Sequence, residues 1–358
     1  MLGERIKQAR RIACLSLREL AAKVGVSHEA IAKYESGRDV PSSGVLLRLS
    51  ESLNVGVDFF LQSIQVSVSQ PEFRKHSRLG KKQQDSIVAR VEDWVARGIE
   101  VDNLIALEKP GEFQTPEGFP RRVSSFDDVE KAAIDFRHAW QLGLDPIQNL
   151  TAIFEEHGIR VGALDAGPHF DALTLWANGT IPVIVTRANI PGDRQRLSMA
   201  HELGHILLRP TCNVEKMMQC FAGAVLVPAP VARMELGAAR RKLDPIELHM
   251  LKHKYGMSML AWVVRARQLG IIHESAAKDM FINFNKRGWR DKEPGDAFPV
   301  EQAERMSRQV MQLLAEEVIS ESRAKELLGS SLEDFRKAFS KEHDGFPEDR
   351  HHRRQHLD

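Results

Sequence analysis

Over the first sixty residues, apolar positions recur every three or four places: Ile6, Ala9, Ile12 and Ala13, then Leu17, Leu20, Ala21 and Val24, then Ala30, Ile31 and Tyr34. That period is helical. Ser16 precedes Glu19 by three residues, the spacing at which the two side chains reciprocally cap a helix start, and Gly25 supplies the stop. Ser27 opens the next helix and Gly37 ends it. Two short helices joined by a tight, Gly-containing turn predict a helix-turn-helix. Pro41 and Ser42 open a further helix through Leu53, and Val57 to Leu61 add one more apolar turn.

The pattern fades between residues 63 and 120. VSVSQ and the basic FRKHSRLGKK lead into a predicted helix over 83–108, and the Pro/Gly-rich KPGEFQTPEGFP reads as a linker. Residues 126–142 and 146–157 then read as amphipathic helices. Residues 159–164, 170–177 and 181–186 read as strands, separated by the turn-forming DAGPH and ANGT. Helices follow over about 194–208, 214–227, 245–255 and 257–269, and again within 300–340. Helices flanking a small sheet predict an α+β domain. The expected division is a head over 1–62, a linker with a helical segment over 63–124, an α+β domain with C-terminal helices over 125–345, and a mobile His-rich tail, EDRHHRRQHLD, whose domain boundary falls at 346–358.

Composition narrows the class. With 358 residues, 42% of them hydrophobic, the chain is long enough for two or three packed domains, and global disorder is excluded. The formal charge of +1 conceals an asymmetry, since residues 1–82 carry 14 Lys/Arg against 8 Asp/Glu and the remainder is net acidic. Cys14, Cys212 and Cys220 are too few and too scattered for a disulfide framework, and none forms a C-x-x-C pair. Charges in MLGERIKQARR stand where a signal peptide needs an apolar stretch, and no apolar run reaches the ~18 residues that cross a bilayer. A cytoplasmic protein with reduced thiols and no membrane partner is expected.

The sharpest chemical signal is AHELGHILL. His201 and His205 stand four apart on one helical face, where both imidazoles can be aimed at one Zn²⁺, and Glu202 beside the first His is placed to act as general base toward water. Met199, Leu203, Ile206 and Leu207 give that helix a face to bury. Two His leave a zinc site short of its usual three protein ligands. Glu215 is the nearest carboxylate that can return on a second helix; Asp244 and Glu247 compete, and His249 with His253 forms another i, i+4 pair without a Glu beside its first member. Tyr255, His249, His253, Arg265 and Arg267 are equivalent candidates for stabilising an oxyanion.

The run RQRLSMAHELGHILLRPTCNVEKMMQCFAGAVLVP closely resembles the ImmA/IrrE-type metallopeptidase family, in which the zinc helix is followed by a helix with an E-x-x-A-N-x-F-A signature ending in Pro. Here that signature appears as Glu215, Met218, Gln219, Phe221, Ala222 and Pro228, with Met218 replacing Ala and Gln219 replacing Asn. The resemblance implies zinc on His201, His205 and Glu215 with Glu202 as catalytic base. FDDVEKAAIDFRHAW, DPIQNLTAIFEEHGIRV, FDALTLW, YGMSMLAWVVRARQLGII and GWRDKEPGD extend it across most of residues 125–345.

LSLRELAAKVGVSHEAIAKYESGRDVPSSGVLLRLSESLNV in turn resembles the phage-repressor, Cro/XRE-type helix-turn-helix family. The second helix of such a motif enters the major groove of double-stranded DNA, which assigns Ser27, His28, Glu29 and Lys33 to base edges and Arg18 and Arg38 to phosphates. Together the resemblances imply a multi-domain fold, an all-α repressor-like head followed by an α+β zincin-like metallopeptidase domain with a small sheet. The expected protein is a homodimeric transcriptional regulator bound to a DNA operator that also cleaves a protein, such as a repressor or antitoxin. Two alternatives are a regulator or antitoxin whose metal domain is a sensor or structural unit, and a metallopeptidase whose head does not bind DNA.

Overall fold

Ser16 and Glu19 do form the reciprocal cap their spacing predicts. In the computed structural model, which describes residues 2–61, 66–69, 79–105 and 113–329, the Glu19 backbone N–H donates to Ser16 Oγ at 3.2 Å and the Ser16 N–H to Glu19 Oε2 at 2.6 Å. The predicted tail and helical residues beyond 329 lie outside the described residues. The head comprises α1 (Leu2–Ile12), α2 (Leu17–Val24), α3 (His28–Glu35), α4 (Ser43–Leu53) and α5 (Val57–Leu61). Gly25 takes the left-handed conformation, φ 73°, that ends α2 and lets α3 turn away. Ile6, Ala9, Leu20, Ala21, Val24, Ile31, Leu49 and Phe60 bury the head's core.

The long helix α6 (Lys81–Ile105) follows. Its first turns meet the head through polar groups: Lys82 Nζ lies 2.6 Å from Glu19 Oε2, Ser86 Oγ donates to the Ile12 carbonyl at 3.1 Å, and Arg5 stands 3.6 Å from Asp93. Lys82, then the Ser16 backbone N–H, pull the Glu19 carboxyl down to about 2. Asp128, which caps a later helix from the backbone and hydroxyl of Ser124 and the hydroxyl of Ser125, is likewise lowered to about 2. Groups depressed in the folded chain contribute stability above their unfolded pKa and lose it as pH falls toward the folded value. Both caps should therefore weaken only between the usual carboxylate range and pH about 2. Side-chain NMR titration checks this, and ordinary carboxylate midpoints would show that the caps do not form in solution.

The second half runs β1 (Arg121–Val123), α7 (Phe126–Ala139), α8 (Leu150–Glu156), β2 (Arg160–Leu164), β3 (Ala172–Ala177), β4 (Ile181–Arg187), α9 (Gly192–Leu207), β5 (Leu208–Pro210), α10 (Val214–Leu226), α11 (Ala229–Leu236), α12 (Pro245–Tyr255), α13 (Met259–Gln268) and α14 (Glu274–Lys286), then α15 (Arg305–Ala315) and α16 (Glu321–Leu328). The three predicted strands form one sheet in the order β2-β4-β3, β4 pairing parallel with β2 and antiparallel with β3, which is the edge. Strand alternation sorts its faces. Val161, Ile184 and Trp176 join the core that includes Met199 and Leu203 of α9. The opposite face is covered by α6, where a Cβ on Gly162 would meet the Trp94 ring at 3.0 Å. This is the all-α head followed by an α+β domain that the pattern predicts. The short parallel pair β1 and β5 went unpredicted because three residues carry no period.

By packing, the described residues fall into two compact units, one within 1–95 and 111–303, the other within 96–110 and 304–358, so that α6 contributes to both. The second unit buries Val101 with Val310, Leu313, Ala324 and Leu327, and Arg97 donates to the Leu327 carbonyl at 2.8 Å.

Cys220 is buried in the first unit, and burial followed by the Glu130 charge pushes its thiol up to about 12, whereas Cys212 is exposed. Since the thiolate is the reactive species, iodoacetamide at pH 8 should alkylate Cys212 and spare Cys220 until the chain is denatured. Equal labelling of the two in the native protein would contradict this packing. Among the described residues, no single helix is long and apolar enough to cross a membrane.

Candidate metal centre

The helix bearing HELGH is buried along nearly its whole length, including His201 and Glu202, each about 95% shielded. It is fastened at its N-terminal half. The fully buried Arg196 pairs with Glu301 and donates to the carbonyls of Ile147 at 2.7 Å and Gln148 at 3.2 Å. Gln195 and the Glu301 backbone exchange two hydrogen bonds of 2.9 Å, and Glu301 Oε2 accepts from the Thr151 N–H at 2.8 Å. Gly192 is required where this helix begins, because a Cβ there would stand 1.8 Å from the Pro299 carbonyl oxygen.

Helix α10 lies against α9, and Gly204 permits the approach, since a Cβ there would meet Met218 Sδ at 2.7 Å and Phe221 at 3.3 Å. Two arginines hold the far end of α10. Arg137 donates to the Val225 carbonyl at 2.6 Å and Arg265 to that of Val227 at 3.0 Å, cations meeting a helix C-terminus where carbonyls lack helical partners. At the near end, Asn213 adopts a left-handed conformation, φ 46°, that turns the chain from β5 into α10 and brings Glu215, in its first turn, beside the two histidines.

His201 Nε2 and His205 Nε2 are 3.3 Å apart, and Glu215 Oε2 is 3.5 Å from His201 Nε2. One donor atom from each of the three residues lies within 4.8 Å of the others, a group that could hold a metal ion. The donors fit a tetrahedral ion: nitrogens about 2.0–2.1 Å from a common centre stand roughly 3.3 Å from each other. Glu202, next to His201 on α9, is buried, and the Thr174 hydroxyl on β3 donates to its Oε2 at 2.8 Å.

The other candidates have partners of their own. Asp244 and Glu247 form the capping box of α12, and Glu247 also takes both guanidinium nitrogens of Arg240 at 2.9 and 3.0 Å. Tyr255 donates to Glu235 at 2.7 Å, Arg265 forks onto Glu130, and Arg267 pairs with Glu274. His249 and His253 stack edge-on, 4.6 Å between centroids, within α12. Thr174 escaped the sequence reading because only its contact with Glu202, 28 residues away, distinguishes it from other strand residues.

In the head, Arg18 on α2, His28, Glu29 and Lys33 on α3, and Arg38 after it are all exposed. Ser27 is exposed too, but its Oγ accepts from the Ala30 N–H at 3.2 Å and caps α3. His28 and Glu29 lie 3.1 Å apart, and Glu29's own backbone N–H, then the Ser27 hydroxyl, lower its carboxyl below the usual range.

Residues 6–60 match the family model for a helix-turn-helix, and residues 154–267 that for the IrrE N-terminal-like domain. Among curated relatives, the chain is 34% identical over 64 residues to an uncharacterized transcriptional regulator in the ATPase CF(0) region of Rhodospirillum rubrum, covering 18% of this chain and 59% of that protein. It is 35% identical over 66 residues to the HTH-type transcriptional regulator ImmR of Bacillus subtilis, covering 18% and 52%. The match to the prophage-derived uncharacterized regulator YonR of the same organism is 36% over 62 residues, covering 17% and 57%. The chain thus spans little more than half the length of these relatives. No solved structure matches it. The chain joins a Cro/XRE-type helix-turn-helix domain to an IrrE/ImmA-like, IrrE N-terminal-like domain.

Proposed function

We propose that this protein is a cytoplasmic, homodimeric transcriptional regulator that binds a DNA operator through its head and hydrolyses a protein of the repressor or antitoxin class with a zinc-dependent endopeptidase domain. The carrying observation is the convergence of His201, His205 and Glu215 within 4.8 Å, with Glu202 following His201 on the same buried helix. Those three residues would hold the ion. When bound, zinc supplies Lewis acidity that polarises a peptide carbonyl and brings the pKa of water toward ~7. Glu202 takes the proton from the attacking water and returns it to the departing amine. The Thr174 hydroxyl steadies Glu202 Oε2 for both transfers.

In the head, Lys33 donates to guanine, Glu29 accepts from cytosine, and Arg18 and Arg38 meet phosphates. The net charge of +6 over residues 1–82 is modest, and a dimer doubles it. That the relatives are named as regulators favours a second reading, in which the metal domain senses or only holds structure. The zinc-loaded protein, incubated with products of neighbouring genes and read by mass, separates the two, because cleavage of none favours the second. A gel-shift series across salt concentrations tests the head, and affinity insensitive to both salt and Lys33→Ala would refute DNA binding.

A further inference from the structure

A cavity of about 320 Å³ opens in the first unit between α9, α10, α13 and residues 290–297. That is the size of a small-molecule pocket. Two of its lining residues repeat the register of the metal centre: Leu197 stands four residues before His201 on α9, and Gln219 four residues after Glu215 on α10. Residues four apart share a helix face and are separated by about 6 Å along the axis. The cavity therefore opens on the same faces of α9 and α10 that carry the metal donors. Leu197, Leu260, Ala261 and Val264 give it an apolar wall.

Its charges divide into two sets, and those inside are compensated. The buried Lys252 lies 3.2 Å from Glu293 and 3.6 Å from Asp193. The excess negative charge of this trio is met by helix N-termini, since Asp193 sits in the first turn of α9 and Glu293 accepts from the Met259 and Leu260 N–H groups, each at 3.1 Å, where α13 begins. The buried Arg265 is taken up by Glu130. The rim is different. There Arg194, Arg290 and Lys292 stand exposed against one exposed carboxylate, Asp291. None of these three cations has a carboxylate partner among the described residues; the Arg194 guanidinium donates instead to the Arg290 carbonyl at 3.0 Å, which brings residue 290 to the start of α9.

An apolar wall beneath uncompensated positive charge is complementary to an amphiphilic anion. We propose that this cavity binds a free small-molecule carboxylate, its apolar body against Leu197, Leu260 and Val264 and its anionic end at Arg194, Arg290 and Lys292. Burial of the body supplies affinity, and charge-assisted hydrogen bonds from the rim fix orientation. A molecule held there occupies the α9–α10 face next to His201 and Glu215, which makes it an effector of whatever that centre does. Its influence on cleavage rests on the peptidase reading; the binding itself does not, and it is tested without metal.

The probe is anilinonaphthalene sulfonate, an apolar fluorophore with one anionic group, titrated into the native, metal-free full-length chain beside phenylnaphthylamine, the same body without the sulfonate. Fluorescence should reveal a saturable site that holds the sulfonate roughly tenfold or more tighter than the neutral amine. Reversing the rim with Arg290→Glu and Lys292→Glu together should erase that preference. Ala261→Trp, which fills the cavity, should weaken both probes by roughly tenfold or more. Phenylbutyrate should displace the sulfonate and phenylbutylamine should not. Equal affinity for the two probes, or a preference that survives charge reversal, overturns the proposal. Displacement by a blocked glutamyl peptide but not by phenylbutyrate also overturns it, because the cavity would then be a side-chain pocket for a peptide. Arg290 and Lys292 are exposed, so the double variant decides should Ala261→Trp fail to fold by circular dichroism.

Discussion

Glu202→Gln is expected to leave zinc content unchanged and to lower cleavage of any protein substrate by roughly 10²–10⁴-fold, the usual contribution of a positioned general base. Glutamine preserves shape and can still meet the Thr174 hydroxyl, which donates to Glu202 Oε2 at 2.8 Å in the native chain, but it cannot take a proton. The proposed ligands His201, His205 and Glu215 are untouched. His205→Ala is the contrasting variant, since it should lose metal and cleavage together. The measurement pairs metal analysis with cleavage read by mass. Undiminished cleavage by Glu202→Gln sinks the assignment of the base; metal lost from that variant would show instead that Glu202 belongs to the binding site.

Glu301→Ala should destabilise the first unit by about 3–5 kcal/mol, the typical cost of leaving one member of a buried ion pair without the other. Arg196 is fully buried, and desolvation already lowers its pKa against the opposing pull of Glu301. Removing the carboxylate also strips an acceptor from the Thr151 N–H, at 2.8 Å. Arg196 begins the turn that precedes His201 on α9, so metal affinity should fall along with stability. Replacing both partners, as Arg196→Met with Glu301→Leu, should cost much less, because no uncompensated charge remains. Denaturant unfolding distinguishes the cases. A single variant within 1 kcal/mol of the native chain would show that water or a rearranged neighbour replaces Glu301.

Local grammar made the head legible. Ser16, Glu19, Gly25, Ser27 and Ser42 act within three or four residues of themselves, and each performs the capping or stopping role its spacing predicts. The same locality explains why His201 and His205 could be paired from sequence, since an α-helix alone brings i and i+4 together. Helices α11 and α14 were missed in the same reading. Their short or mixed apolar patterns became helical faces only when packed against the rest of the domain.

The sequence by itself determined the helix-turn-helix pattern, the three strands and the HELGH pair, because helix and strand periods, caps and turns are near-neighbour physics. Only tertiary structure brings one of the candidate carboxylates to the histidines. Spacing put Glu215 ahead of Asp244 and Glu247 without excluding them; α10 crossing at Gly204 set the first beside the histidines, while the capping box of α12 engages the other two. Thr174 on Glu202, Glu301 on Arg196 and residues 66–69 on β3 likewise join positions 28 to more than 100 residues apart. Such contacts leave no local signature, for they exist only after sheet, helices and buried charges have closed around one another.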